Sequence, residues 1–195
     1  SISDIHLGHP RTPTTFIINN LNKFVTNDEV FSTIDLIVFA GDVFDQLLDF
    51  ASDESNDIKR WIASTLRLAY KHDVEVVVLE GTPSHDRKQS SAFVAINQIN
   101  QRAGYGPAKL HYVDKLSVLR LTNLGITALM VPDEWGPTPA DTLAQVHDLL
   151  AAEGLSKVDF AFMHGIFEYQ LDFDGVAAHS SKAYLELVSY LIFIG

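Results

Sequence analysis

The sequence predicts one layered α/β domain spanning residues 1–195, and three observations carry that expectation. Short β-branched apolar runs alternate with stretches of helical period. The runs are closed by glycine-containing turns. Aspartates and histidines gather just past those closures. Residues 34–40, 74–79, 158–163 and 190–194 read as strands, and their continuous apolarity suits strands covered on both faces. Residues 110–131 read as two or three further strands around the turn at 122–125 (Thr-Asn-Leu-Gly), and residues 132–139, with Trp135, as a loop.

Helices fill the gaps. Pro13 suits a first helical position behind a Thr12 cap, with Phe16, Ile17, Leu21, Phe24 and Val25 on one face. Ile58, Trp61, Ile62, Leu66, Ala69 and Tyr70 mark a second helix. Phe93, Ile96 and Ile99 mark a third, and Leu143, Val146 and Leu150 a fourth. The three residues at 1–3 read as the tail of a strand, and residue 195 falls where other strands deliver a polar side chain, so a fragment is expected.

Composition narrows the function classes. A chain of 195 residues, 47% apolar and 20% charged, builds a core without staples. Zero cysteines exclude disulfides, thiolate zinc sites and a cysteine nucleophile. No apolar run reaches the ~20 residues of a membrane span, and no secretory leader opens the chain, so a cytoplasmic protein without a membrane partner is expected. A net charge of −11 opposes passive adhesion to nucleic acid, although bound cations would neutralise part of it. No phosphate-cradling Gly-x-x-x-x-Gly-Lys-Ser/Thr stretch occurs, which argues against ATP hydrolysis.

Open α/β sheets bind ligands beyond the carboxyl ends of their strands. The residues there are Asp4 and His6, then Asp42 and Asp45, then Ser84, His85 and Asp86, and finally His164. Carboxylate and imidazole donors suit manganese, iron or zinc. Alternation along an extended chain would let Asp4 and His6 clamp one cation together. His72, His111, His147 and His179 belong to no motif and read as surface residues. Arg11, Arg87 and Lys88 flank the loops and could meet phosphates.

The ordered set Asp-x-His, Gly-Asp-x-x-Asp, Gly…His-Asp and a strand-ending His-Gly resembles the calcineurin-like metallophosphoesterases. The wording at 3–9 (Ser-Asp-Ile-His-Leu-Gly-His), 41–45 (Gly-Asp-Val-Phe-Asp) and 81–87 (Gly-Thr-Pro-Ser-His-Asp-Arg) resembles their SbcD-like branch, the DNA double-strand-break repair exonucleases of phages and bacteria. The resemblance implies an αββα sandwich, two facing mixed sheets flanked by helices. It implies two divalent cations, manganese first, with iron, zinc or magnesium as alternatives. Asp4 and His6 would hold one cation, His164 the other, and Asp42 would bridge them. His85 would stay off the metals and face the scissile phosphate, with Asp45 behind it. The implied activity is phosphodiester hydrolysis of DNA, by a homodimer partnered with an SbcC-like coiled-coil ATPase.

The sequence departs from the family at two places. Ser84 stands where the family has a metal-ligating Asn, and residue 195 coincides with the first letter of the closing Gly-His-x-His motif. A small-molecule phosphodiesterase or phosphatase on the same core is the nearest rival reading. A non-catalytic scaffold is the second.

Overall fold

Beyond its terminal residues, the first sheet is built by two helical crossovers. The computed structural model describes residues 1–49, 51–134, 136–168, 170 and 177–195, so Trp135 lies outside the described residues. The first three strands, β1 (Leu36–Ala40), β2 (Glu75–Leu79) and β3 (Lys109–Val113), form a parallel sheet in the order β1-β2-β3. Helix α3 (Asp53–Lys71) connects β1 to β2, and α4 (Ala92–Arg102) connects β2 to β3. Two crossovers of this kind force parallel pairing. The sheet is therefore wholly parallel rather than mixed, a correction to the expected pair of mixed sheets.

The second sheet is mixed. It contains β4 (Ser117–Leu121), β5 (Ile126–Val131), β6 (Val158–Met163) and β7 (Val188–Ile194) in that order. The turn after Leu121 folds β5 back antiparallel on β4, whereas β6 and β7 run parallel to β5. Helices α5 (Pro139–Ala152) and α6 (Ser181–Leu185) supply the two parallel crossovers. Thr138 caps α5 in a reciprocal capping box with Asp141.

Side-chain alternation sorts the layers. In the first sheet, Ile37, Phe39, Val76 and Val78 face Trp61, Ile62, Leu66 and Phe93 of α3 and α4. Their alternates Val38, Ala40, Val77 and Leu79 meet Leu121, Ala128, Met130 and Phe162 of the second sheet. That sheet turns Leu129, Val131, Ala161 and Met163 outward onto Val146 and Leu150 of α5 and Tyr184 of α6. The result is helices, sheet, sheet, helices.

Three local expectations shift. Helix α1 (Thr14–Phe24) starts one residue later than expected, with Pro13 itself at the cap and no side-chain capping bond. It packs the half-buried Ile17, Ile18, Leu21 and the following Val25 against the core, while Phe16 and Phe24 stand 60% and 74% exposed. The buried stripe is thus rotated away from both aromatic rings. Among the described residues β7 pairs only with β6, at the edge of its sheet, and its Tyr190 is 67% exposed, so it lacks the expected cover on both faces. The one-turn helices α2 (Asp28–Phe31) and α6 are too short to leave a period in the sequence.

Candidate metal centre

Asp42 stands two residues past β1, and His164 directly follows β6. The loop after β2 carries Thr82 and His85. The first strand tail is laced to the same place: Ile2 bridges Phe39 in parallel register. Beyond it, Asp4 N donates to Gly41 O (3.2 Å), His6 N to Asp42 O (3.0 Å) and Leu7 N to Val43 O (2.9 Å). The carboxyl ends of strands from both sheets therefore deliver their polar side chains to one spot.

Two groups of candidate ligands result, His6/Asp42/His85 and Asp4/Asp42/His164, with the donor atoms of each within 4.8 Å of one another. Asp42 belongs to both. Its Oδ2 lies 2.7 Å from His85 Nδ1 and 3.9 Å from His6 Nε2, and its Oδ1 lies 3.2 Å from His164 Nε2. The His6/Asp42/His85 group could bind a metal ion.

Asp4 and His6 fall into different groups, although alternation would have paired them. Both have left-handed backbones (φ 53° each), as does Asp42 (φ 50°), so the stretch is not extended and the alternation rule does not apply. Left-handed non-glycine residues cost of order 1–3 kcal/mol each and cluster at functional sites. The partnership expected between Asp45 and His85 is also absent. Asp45 Oδ1 lies 3.1 Å from His6 Nδ1, and Asp42 takes the place beside His85.

The donor set and its surroundings fit a divalent cation. His164 and Asp42 are each only 4% exposed. His164 Nδ1 lies 2.9 Å from Ala40 O and donates to it, which fixes the ring with its Nε2 edge toward Asp42. A carbonyl behind the imidazole is the usual support of a ligating histidine. His6 Nδ1 is buried without a hydrogen-bond partner, since Asp45 approaches it outside hydrogen-bonding geometry. Glycine is required at two points: a Cβ on Gly41 would strike the His164 ring, and one on Gly81 would strike Asp42.

Electrostatics follow from the packing. Burial alone would raise the Asp42 carboxyl, but His164, His85 and the Thr82 amide overcome it and hold Asp42 well below the usual carboxylate range. Burial would lower the His164 imidazole, yet the hydrogen bond and charge of Asp42 lift it above its ordinary value.

Thr82 was not legible as a site residue. Its amide donates to Asp42 Oδ1 (2.6 Å), and its hydroxyl lies 3.3 Å from both Asp42 Oδ2 and His164 Nε2. Asp86 is a hydrogen-bond partner: wholly buried, it accepts from Phe44 N (2.8 Å) and Gly81 N (2.7 Å). Arg87 and Lys88 are engaged locally, with the Ser84 carbonyl and the Asp114 carboxylate. His72 and His111 pair with Asp28 and Glu75, while His147 is exposed as expected.

Asp4, Asp42, Thr82, Asp133, His164 and His179 line one cleft of about 740 Å³. Burial raises the Asp133 carboxyl there. No helix among the described residues is long and apolar enough to cross a membrane. The chain matches no protein-family model and no curated protein at a significant level.

Proposed function

We propose that this protein is a metal-dependent phosphoesterase that hydrolyses DNA phosphodiester bonds, in the manner of the SbcD-like nucleases its motifs resemble. The observation that carries the reading is the sharing of Asp42 between two ligand groups at the carboxyl ends of strands from both sheets. In this reading His6 and Asp42 hold one divalent cation, manganese first, and Asp4, Asp42 and His164 hold the other. When bound, such a pair activates water and neutralises phosphoryl oxygens.

The protein's own groups do the rest. His85 is the more exposed imidazole of its group, with 37% of its side chain accessible against 28% for His6. Its Nδ1 is turned to Asp42, so Nε2 is the edge left for a leaving oxygen, and we assign it proton transfer there. Thr82 orients the Asp42 carboxylate through its amide. Asp45 stands 3.1 Å from His6 Nδ1, on the side of the ring away from Asp42. The homodimer and the coiled-coil ATPase belong to this proposal as partners of the same branch.

The test is hydrolysis of linear duplex DNA with manganese, against cyclic nucleotides and aryl phosphates. Metal-dependent cleavage of the duplex is the expected result. Cleavage of only the small esters would replace the nuclease reading by the small-molecule one. Calorimetry showing no saturable manganese binding would favour a scaffold.

A further inference from the structure

We propose that His179 is a substrate-binding residue of this site: a neutral imidazole donating a hydrogen bond from Nε2 to a phosphoryl oxygen held beside Asp4, Asp42 and His164. The choice of phosphate as ligand rests on the phosphoesterase reading. His179 belongs to no sequence motif and was expected at the surface, yet it forms part of the cleft wall shared with those three residues.

Its placement is determined at both backbone and ring. His179 N donates to Ile166 O (2.8 Å) and Glu168 N donates to His179 O (3.0 Å), tying it to the segment that follows His164 and Gly165. The ring packs against Phe167, at 5.4 Å between centroids, and meets Tyr184 edge-on at 5.6 Å. Such a ring needs little ordering when a ligand arrives, which favours binding.

The tautomer follows from which partner donates in one hydrogen bond. Tyr184 is fully buried, and its hydroxyl reaches His179 Nδ1 at 3.4 Å. Burial pushes the Tyr184 phenol up to about 12, so it keeps its proton, and in this proposal that proton belongs to the contact with Nδ1. Nδ1 is then an acceptor, and the ring proton sits on Nε2. Burial lowers the His179 imidazole as well, favouring that neutral form. Nε2 lies over Gly165, where a Cβ would stand 3.3 Å away; the glycine (φ 141°) leaves the approach open. Asp133 and Glu134 also line the cleft and offer an anion no donor when ionised, so each donor on the wall counts.

Inorganic phosphate titrated calorimetrically into the full chain with manganese tests this. His179→Ala should weaken phosphate binding about tenfold, as for one hydrogen bond to a charged group, with manganese binding unchanged. Tyr184→Phe should give a smaller loss, and His179→Gln, whose amide reaches a similar point, should recover part of it. Ring nitrogen shifts of labelled His179 in the wild type read the tautomer without any substitution. Unchanged phosphate affinity in His179→Ala, or a ring proton on Nδ1, overturns the proposal. Phosphate binding through His179 without ester hydrolysis would remove the phosphoesterase reading and leave this one standing. Hydrolysis with His179→Ala binding phosphate normally would remove this one alone, and a wild type that binds no phosphate removes both.

Discussion

Asp42 and Glu75 are both 4% exposed, one just past the end of β1 and the other at the start of β2, and both meet histidines, yet they do different things. Glu75 opens β2 at the amino end of the sheet. Its Oε2 lies 2.9 Å from His111 Nε2 and its Oε1 accepts from Asn123 Nδ2 at 3.1 Å. Asn123 sits in the turn between β4 and β5, so Glu75 ties one sheet to the other with ordinary strand geometry and a partner for each oxygen. Asp42, just past the carboxyl end of β1, sits on a left-handed backbone with His85 against one oxygen and His164 against the other. A buried carboxylate–imidazole contact therefore does not distinguish a tie from a site. Backbone strain, and the convergence of several donors on one carboxylate, do.

Four substitutions test that contrast, from the largest expected effect down. Asp42→Asn should release manganese from both groups and cut turnover by more than the ~10²-fold typical of disturbing a ligand's supporting partner; calorimetry that shows only one cation lost would mean Asp42 does not bridge. His85→Ala should keep both cations while turnover falls ~10²-fold or more, the range of general acids. Departure of metal with the imidazole would make His85 a ligand instead. Glu75→Ala, by contrast, should leave turnover per folded molecule intact. It strands His111 and Asn123, so denaturant unfolding should show a loss of about 1–3 kcal/mol. Exposed His147→Ala should stay within about 0.5 kcal/mol in the same experiment, and a larger loss would mean that histidine position alone sets sensitivity.

The strands were legible because burial on both faces writes itself as an unbroken apolar run, as in β1 and β2. The single turn of α6 carries too few residues to show a period. Asp4, His6, Asp42, His85 and His164 could be picked out because each belongs to an ordered motif, and Asp42, His85 and His164 also lie just past strand ends. How they pair could not, since the division of Asp4 from His6 depends on two positive φ angles that no spacing reveals. Thr82 escaped because a threonine after a glycine is ordinary turn chemistry until its amide is seen on Asp42. His179 escaped for a related reason: its companions Phe167 and Tyr184 come from either side of it in the chain and form no local pattern.

The two amides that converge on Asp86 come from separate loops, one leading out of Asp42 and the other into His85. Each oxygen of that carboxylate takes one of the amides, so a single buried side chain ties the two loops together. The buried carboxylate thus fastens the backbone beside Asp42 to the backbone leading into His85.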